Sequence, residues 1–516
     1  MITIALTGAS GAMGKETLKA LMASQHNFKV KLLLLKSDKA FGLKVKSQYK
    51  SRIEIIYGDV RSYGDCLELV KDSRYVLHLA ALIPPKADYN QDTTIAINYN
   101  GTKNIVDAIK SLSSPPKLVH VSTVAIYGNR NYKHPWGRVG DPLLPSIFDV
   151  YATSKMKAER YVLESGLEHF AVLRQTGILH DNLLINNVKD GLMFHTPWNT
   201  PIEWVTAKDS GILMSRIVER DLENSIPFFW KKVYNVGGGK GYRQTGYDTF
   251  DDGFKVIGGN VESFFEPYWN SDRNFHCFWF NDSNVLNDMF HFQNGSSDTF
   301  WQDFKKSHRL YSVAKILPPA IVRKMVIEPL LNDENAPSKW IRDDNNARVK
   351  VAFSVPDLKQ KYSDWKSFPL LKNNLCNDGF YDYEKAKNSP SFHLLNHGYD
   401  ESKPDSELDI EDMQMVAKFR GGQCLSKTMI KGDLYTPLTW RCHKGHIFRS
   451  SPYTILKAGH WCEECAPLTT WNYDLIVPYV PFYQQVWYDS FPTKESNVYT
   501  LVNNQANLIK GAVYES

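Results

Sequence analysis

The segment TGASGAMG, residues 7–14, joins an apolar run at residues 2–6 to a stretch of helical length. Its glycines follow the spacing G-x-x-G-x-x-G. Glycine in such a turn allows unusual backbone angles, lets the main chain approach a pyrophosphate, and lets the helix pack closely on the strand. The N-terminus of the following helix offers N–H donors and a positive dipole end to phosphates. We therefore predict a dinucleotide site whose turn residues are Gly8, Ser10, Gly11, Ala12, Met13 and Gly14.

Short apolar runs alternate with segments of helical length from this turn to Arg174. Such runs are expected where crossover helices bury strands on both faces, which gives a parallel, doubly wound α/β sheet. Beyond Gln175 the pattern is irregular, apart from a predicted helix at Ala207–Leu222 and a later strand. The predicted strands are Ile2–Leu6, Val30–Leu35, Ile53–Ile56, Tyr75–Leu79, Leu118–Val121, Phe170–Leu173 and Val233–Val236.

The length of the chain predicts several domains. Its 516 residues exceed what one hydrophobic core serves, because single cores stop growing near about 250–300 residues. We predict a dinucleotide-binding domain at 1–180 and an aromatic-rich substrate-side domain at 181–375, partly interleaved with the sheet. A polar linker at 376–412 then leads to a compact unit at 413–516.

Composition and charge exclude several classes of protein. The 43% hydrophobic and 23% charged residues are typical of globular proteins, not of disordered, collagen-like or membrane proteins. The N-terminus has the pattern of a buried strand rather than of a signal peptide, so we expect a cytoplasmic protein without membrane contact. A net charge of +5 suits an anionic cofactor and does not favour nucleic acid. Seven cysteines, several of them clustered late, favour a metal site over disulfides.

The sequence YATSK places Tyr151 and Lys155 four residues apart on one face of a helix. An ammonium group at that spacing can lower the pKa of the phenol towards neutrality, as a base at cellular pH requires. The preceding segment LVHVSTVAIYG, residues 118–128, brings Ser122 and Thr123 to the carboxyl edge of the sheet, where doubly wound folds bind ligands. We predict that these four side chains form the catalytic site.

These motifs resemble those of the extended short-chain dehydrogenases/reductases, the Rossmann-fold family of NAD-dependent epimerases and dehydratases. The resemblance covers the predicted first domain and implies hydride transfer at a nicotinamide. Tyr151 and Lys155 are then the acid/base pair, and Lys155 also contacts the ribose. Thr123, four residues before the Tyr127–Gly128 pair, binds the substrate oxygen, with Ser122 as the alternative. The further cofactor contacts that the resemblance implies are Asp59, Val60, Leu79, Ala80, Ala81 and Asn98.

The end of the second strand bears on the choice of dinucleotide. NAD enzymes usually place an acid there for the ribose hydroxyls, whereas the 2′-phosphate of NADP requires a base. Lys36 and Ser37 therefore favour NADP. Asp38 follows directly and keeps NAD open as the alternative.

A second motif lies near the C-terminus, in the stretches GGQCLS, TWRCHKGHIF and AGHWCEEC. Cys442 and His446 are separated by three residues and Cys462 and Cys465 by two. Two close pairs of this kind suit a tetrahedral, structural zinc ion. The stretch resembles small zinc-ribbon or treble-clef modules, which are attached to nucleases and to other unrelated proteins. Cys424 remains an alternative to His446, and the role remains open between nucleic-acid contact and a scaffold or oligomerisation element.

The substrate side is less distinctive, because single aromatic residues of this kind are more often core than site. The polar candidates are Tyr242, Arg243, Arg273 and His276, and the candidate apolar wall comprises Trp269, Phe275, Phe278 and Trp279.

Three functions fit these patterns. The first is an NAD(P)-dependent oxidoreductase that acts on a small carbonyl compound or secondary alcohol, a role compatible with a homo-oligomer. The second is a sugar-nucleotide epimerase or dehydratase that oxidises its substrate transiently. The third is a dinucleotide-sensing regulator that binds nucleic acid or protein through its zinc module, and the retention of both Tyr151 and Lys155 ranks it last.

Overall fold

The computed structural model describes residues 1–146, 148–183, 189–309, 317–355, 357–371, 381–389, 392–465, 470–471, 477–488, 491 and 499–500. Parts of the predicted linker and of the C-terminal unit, including residues 501–516, lie outside the described residues. Among the helices of the described part, none combines the length and the apolar character needed to span a membrane.

A seven-stranded parallel sheet forms the centre of the first half of the chain. Its order is β7–β6–β5–β4–β1–β2–β3, the doubly wound order in which the chain reverses direction beside β1. The predicted fold class and all seven predicted strands are confirmed. The strands are β1 Thr3–Thr7, β2 Lys29–Leu34, β3 Ile53–Tyr57, β4 Tyr75–His78, β5 Lys117–Thr123, β6 Phe170–Gln175 and β7 Lys232–Val236.

Helices cover both faces of this sheet because successive strand residues point to opposite sides. Ile4 and Leu6 pack in one core with α1 and α6, while Ala5 packs in the other with α3, α4 and α5. The helix predicted at Ala207–Leu222 is confirmed with those bounds. The covering helices are α1 Ala12–Ala23, α2 Lys39–Tyr49, α3 Tyr63–Val70, α4 Gly101–Lys110, α5 Val150–Leu163 and α6 Ala207–Leu222.

Smaller sheets and short helices build the substrate side. Strands Gly177–Leu179, Pro201–Thr206 and Arg243–Thr245 form one sheet, and Trp136–Gly137 pairs with Trp279–Phe280. The short helices before the C-terminal unit are Lys86–Tyr89, Gln91–Ile95, Gly246–Val256, Val261–Phe264, Asn284–Phe290, Ser297–Ser307, Pro319–Val322, Glu328–Leu330, Pro337–Arg342, Asn346–Ala352, Leu358–Lys361 and Tyr383–Ala386.

The C-terminal unit shares its core with the first domain. Met413, Trp440 and Tyr453 are buried in the same cluster as Ala5 and the inner faces of α3 and α4. The hydroxyl of Tyr453 accepts a hydrogen bond from the backbone N–H of Val233 at 2.8 Å. The unit therefore packs directly against the parallel sheet. Its elements are the helices Ile410–Phe419 and Pro481–Trp487, the three-stranded sheet of Gln423–Cys424, Leu438–Arg441 and Ile447–Ser450, and the pair Thr470–Trp471 with Tyr499–Thr500.

Candidate active site

The glycine turn lies at the carboxyl end of β1 and leads into α1. Gly8 has a φ of +72°, and a Cβ atom there would lie 2.8 Å from the backbone nitrogen of Ala80. A Cβ atom on Gly14 would lie 2.1 Å from the carbonyl oxygen of Gly8, so neither position admits a side chain. Gly11 caps α1, and no side chain bonds to the first N–H groups of the helix. The first turn of α1, which includes Ala12 and Met13, keeps these donors for an anionic group.

The end of β2 is joined to this turn by a hydrogen bond. The Ser10 hydroxyl donates to the Asp38 carboxylate at 2.8 Å. Lys36 and Ser37 are both exposed. Asp38 is thus fixed against the glycine turn, whereas the side chain of Lys36 projects into solvent.

The turn after β3 carries the predicted acidic contact. Asp59 accepts hydrogen bonds from the side chain and the backbone of Arg61 at 2.7 and 2.9 Å. The Arg61 guanidinium lowers the pKa of Asp59, which therefore stays ionised. Val60 is buried against Gly101, where a Cβ atom would lie 2.8 Å from the Val60 side chain.

The segment after β4 is shaped by a threonine of β1. The backbone N–H groups of Leu79 and Ala80 both donate to the Thr7 hydroxyl oxygen at 3.1 Å. Ala81 follows and is half-buried. Because the carboxyl ends of parallel strands meet at one edge of the sheet, this segment lies beside the glycine turn.

Asn98 ties this edge to α5. It lies in a π-helical turn, Ala96–Asn100, a feature frequent at functional sites. Its side-chain amide donates to the carbonyl oxygen of Leu82 at 3.0 Å and to the hydroxyl of Ser154 at 3.1 Å. Ser154 in turn donates to the carbonyl oxygen of Tyr151 at 2.8 Å. Asn98 therefore supports the backbone of the helix turn that carries Tyr151.

The structure brings Tyr151 and Thr123 together. Asp149 caps α5, and Tyr151 lies in the first turn of that helix. Thr123 is the last residue of β5, and its hydroxyl lies close enough to the Tyr151 phenol to lower the pKa of that phenol, against the larger effect of burial. Ser122 points the other way and donates to the buried Glu159 carboxylate at 2.7 Å. Thr123, not its alternative, is thus the hydroxyl beside the phenol.

Lys155 lies one turn beyond Tyr151 and is buried. Its Nζ donates to the carbonyl oxygen of Val121 at 2.7 Å. Burial lowers the pKa of Lys155 to about 8, against the opposing effect of the Glu159 carboxylate. Burial also raises the pKa of Tyr151 to about 12, so the lowered phenol pKa expected from the sequence is wrong for this structure. The ammonium group is directed at the strand, and the effect of burial dominates at the phenol.

A buried polar network behind α5 was not predicted from the sequence. Glu159 is ion-paired with Arg174 at 2.5 Å, and both side chains are fully buried. The Nε2 atom of His460, from the C-terminal unit, lies 3.0 Å from the same carboxylate. Arg174 also donates to the carbonyl oxygen of Ala458 at 2.5 Å. The segment just before Cys462 therefore contacts the helix that carries Tyr151 and Lys155.

A strained residue lies directly before α5. Phe148 has a φ of +69°, which is costly for an aromatic residue and is typical of functional sites. The Arg348 guanidinium lies 5.0 Å from the ring centres of both Phe148 and Trp340. Among the described residues, no carboxylate lies within ion-pair distance of Arg348. Burial raises the pKa of Asp88, which lies within electrostatic range of Arg348 and Asp149, to about 7.

The candidate residues of the substrate side lie in different environments. His276 lies 3.1 Å from the Asp149 carboxylate, next to the start of α5. Arg243 is buried and ion-paired with Glu203 at 2.9 Å, so it supports structure. Arg273 lies 3.8 Å from the ring centre of Phe491. Phe275 stacks on His276 and is half-buried, while the remaining candidates are buried core residues: Tyr242, Trp269, Phe278 and Trp279.

The four predicted zinc ligands lie together. Their ligand atoms are all within 4.8 Å of one another. The sulfur atoms of Cys442 and Cys465 are 3.6 Å apart, and His446 Nδ1 lies 3.5 Å from the sulfur of Cys462. A tetrahedral zinc ion requires separations of about 3.8 Å between sulfurs and about 3.6 Å from sulfur to nitrogen. Cys424 is not part of this group.

The thiols of this group are electrostatically coupled. Hydrogen bonds from Cys462 and Cys465 lower the pKa of Cys442, and the hydrogen bond to Cys442 raises the pKa of Cys462 to about 11. Three thiols at this distance cannot all ionise without a cation between them. The Nε2 atom of His446 lies 3.5 Å from a Glu464 oxygen, the kind of carboxylate partner that orients metal-binding histidines.

The first domain is similar in sequence to a known protein family. Residues 5–172 match the profile of the 3-beta hydroxysteroid dehydrogenase/isomerase family. The "3 beta-hydroxysteroid dehydrogenase/Delta 5→4-isomerase" of Vaccinia virus (strain Western Reserve) is 25% identical over 242 residues, which cover 44% of this chain and 62% of the viral protein. The Monkeypox virus protein of the same description is 24% identical over 239 residues, again 44% and 62% of the two chains. The chain thus spans less than two thirds of the length of these relatives.

Solved structures of the same fold include two dTDP-glucose 4,6-dehydratases. The Bacillus anthracis protein, in complex with NAD, has a TM-score of 0.47 and 15% identity, and the match covers 61% of this chain and 98% of that chain. The Streptomyces venezuelae protein, with NAD bound, has a TM-score of 0.47 and 17% identity over 61% and 100% of the two chains.

Proposed function

We propose that this chain is an NAD(P)-dependent oxidoreductase that acts on a carbonyl group or a secondary alcohol. One observation carries the proposal: Tyr151 and Thr123 lie together at the carboxyl edge of the sheet, beside a glycine turn that admits no side chain and with the buried Lys155 one helical turn away. The profile match over residues 5–172 includes all of these positions and supports the same activity.

The residues present fit a dinucleotide. The uncapped start of α1 and the bare turn at Gly8 and Gly14 would hold the pyrophosphate, and Asp38 or Lys36 would meet the adenosine ribose. When bound, the nicotinamide ring supplies or accepts a hydride. In reduction, Tyr151 donates its proton to the oxygen of the carbonyl as that oxygen gains negative charge. Thr123, whose hydroxyl lies beside the phenol, would hydrogen-bond to the same substrate oxygen.

The phenol is in the protonated form that can donate to a carbonyl oxygen at neutral pH. Since burial raises the pKa of Tyr151 to about 12, the phenol is protonated and is an acid ready to donate. The tyrosinate left after donation lies one helical turn from the Lys155 ammonium, which would stabilise it by charge until a proton from solvent restores the phenol.

The names of the relatives suggest where to look for that substrate. The poxvirus relatives carry the description of 3 beta-hydroxysteroid dehydrogenase/isomerases, so 3-keto and 3-hydroxy steroids head the panel, followed by simple ketones and sugar nucleotides. A net oxidoreductase changes the 340 nm absorbance of the cofactor in proportion to turnover, whereas an epimerase or dehydratase returns the hydride. Product formation at constant absorbance would identify the second class.

The cofactor itself can be tested without a substrate. We propose that Asp38, held by Ser10, limits the affinity for NADPH, because a 2′-phosphate beside its carboxylate is repelled. Titration calorimetry of NADH and NADPH should detect binding of at least one of them. The Asp38→Asn variant should then shift the ratio of the two affinities towards NADPH by about tenfold, or about 1.4 kcal/mol.

Asp72→Asn is the matched control, because Asp72 is exposed and lies at the amino end of the strands. It should leave both affinities unchanged. Uptake of neither NADH nor NADPH by the wild-type chain would contradict the proposed function. An unchanged affinity ratio in Asp38→Asn would contradict the role of Asp38 alone.

We also propose that Cys442, His446, Cys462 and Cys465 hold one structural zinc ion. Their separations match the edges of a tetrahedral site, and four protein ligands leave no open position for a substrate. Because Ala458 and His460 contact the network behind α5, the ion would fix the C-terminal unit against the first domain.

A further inference from the structure

A cavity of about 330 Å³ lies between α5 and the C-terminal unit. Lys157 and Tyr161 line it from the helix, and Arg420 and Trp461 line it from the C-terminal unit. Each residue of an α-helix advances by about 100°, so Lys157 projects roughly 120–160° around α5 from Tyr151 and Lys155, and Tyr161 roughly 80–120°. Neither residue of the proposed catalytic pair lines the cavity. The cavity is therefore separate from the proposed active site and is not explained by the proposed function.

The lining of this cavity carries more positive than negative charge. Its bases are Lys110, Lys157, Arg160 and Arg420, and its carboxylates among the described residues are Glu164 and Glu463. The thiols of Cys462 and Cys465, two of the proposed zinc ligands, also line it. Arg160 is ion-paired with both of these carboxylates, at 3.1 and 3.0 Å. Arg160 thus neutralises part of the negative charge of these two carboxylates.

Arg420 is the key side chain. It is 3% exposed, and its guanidinium contacts the carbonyl oxygen of Gly459 only at 3.4 and 3.5 Å. No carboxylate of the described residues lies within ion-pair distance of it. Burial lowers the pKa of Arg420 to about 10. A buried guanidinium without a carboxylate partner is costly, and an anionic ligand in the cavity would reduce that cost.

The remaining walls suit an aromatic body. The Trp461 ring lies 5.4 Å from the Arg420 guanidinium, and Tyr161, Leu143 and Met156 complete an apolar surface. A cavity of this volume is at the small end of the range of ligand sites and accommodates about one substituted ring. Arginine is the residue that best combines stacking on a ring with bidentate binding of an oxyanion.

We propose that this cavity binds a small ligand that carries one aromatic ring and one carboxylate or phosphate group, with the anion on Arg420 and the ring against Trp461. Isothermal titration calorimetry of the full zinc-loaded chain tests this with phenyl phosphate and phenylacetate, and with inorganic phosphate and benzyl alcohol as partial probes. We expect saturable binding, about one ligand per chain, of phenyl phosphate or phenylacetate, and at least about tenfold weaker binding of both partial probes. The stronger of the two aromatic acids identifies which anion the site prefers.

The variant Arg420→Gln should weaken that binding at least about tenfold, since it removes a charge-assisted contact. Arg449→Gln, an exposed arginine of the same unit, is the matched control and should bind as the wild type does. If Arg420→Gln fails to fold, Lys157→Gln provides the same comparison. NADH and NADPH titrations should be unaffected, which separates this proposal from the proposed function. Absence of binding by both aromatic acids, equal binding of inorganic phosphate, or unchanged affinity in the variant would each overturn it.

Discussion

The glycine turn and the cysteine–histidine group are both built from short motifs, yet their polar groups are arranged differently. Those of the turn lie at an open edge of the sheet, whereas those of the group face one another. At the turn, the first N–H groups of α1 have no side-chain cap and Tyr151 is half-buried at an open sheet edge. At the group formed by Cys442, His446, Cys462 and Cys465, every ligand atom faces the others. The first arrangement suits a ligand that enters and leaves, and the second suits an ion that stays. Variants at the glycine turn and Tyr151 should therefore lose turnover, whereas variants at the cysteine–histidine group should lose stability.

We call the region of the glycine turn and Tyr151 the open site, and the group of Cys442, His446, Cys462 and Cys465 the closed site. The largest expected effect is on turnover at the open site. Tyr151→Phe removes the proton donor but keeps the ring, so kcat should fall by about a thousandfold while NAD(P)H affinity stays within about twofold. Stability should change little, because only one hydroxyl contact, to Thr123, is lost. Steady-state kinetics on an active ketone and calorimetric titration of the cofactor measure the two quantities.

Tyr435→Phe is the control, since its exposed hydroxyl lies in the C-terminal unit and donates to Lys231. It should retain wild-type turnover. If Tyr151→Phe turns over at the wild-type rate, the mechanism is wrong. If the cofactor no longer binds to it, Tyr151 positions the dinucleotide rather than the proton.

The next effect is on stability at the closed site. Cys462→Ser replaces a thiolate ligand by a weak one, so the zinc content should fall from about one ion per chain to a small fraction. The free energy of unfolding should fall by about 3 kcal/mol, because the segment that holds Ala458 and His460 is released from α5. Plasma emission spectrometry and thermal unfolding measure the two changes.

Cys424→Ser is the matched control, because Cys424 is a half-buried cysteine of the same unit that lies outside the group. It should keep its zinc and most of its stability. A wild-type chain purified without zinc and unable to take it up would contradict the metal proposal. Equal loss of zinc from both variants would contradict the choice of ligands.

The two regions also differ in how far the sequence predicted them. All seven strands of the sheet and the helix Ala207–Leu222 were predicted, because buried parallel strands appear as apolar runs and a helix repeats every few residues. The grouping of Cys442 and His446 with a second pair was predicted for the same reason, since each pair is a local turn. Spacing along the chain is informative wherever the contact is local.

Contacts between distant segments could not be predicted in this way. Glu159 and His460 are separated by 301 residues, and no pattern in either segment points to the other. The contact of Arg348 with the strained Phe148 was missed for the same reason. The pKa of Tyr151 was predicted in the wrong direction, because the i, i+4 spacing predicts proximity to Lys155 but not the depth of burial.

The burial of Lys155 gives the smallest expected effect, which links the stability of the fold to activity at the open site. The folded-state pKa of Lys155 is about 8, below its ordinary value of 10.5, because burial disfavours the ammonium form. The unfolded chain therefore binds the extra proton more tightly, and Lys155 destabilises the fold at pH 7. Lys155→Met should abolish turnover yet raise the free energy of unfolding at pH 7 by about 2 kcal/mol, after allowance for the lost hydrogen bond to Val121.

The sign of this effect fixes its pH dependence. The gain in Lys155→Met should be complete below pH 8, shrink between about pH 8 and 10.5, and vanish above that range, where the folded and unfolded wild-type chains are both deprotonated at Lys155. Denaturant unfolding at pH 7, 9 and 10.5 measures it. Lys19→Met, at an exposed position of α1, should show no such trend. A variant less stable than the wild type at pH 7 would mean that the Val121 contact outweighs the cost of burying Lys155, and that this lysine stabilises the open site.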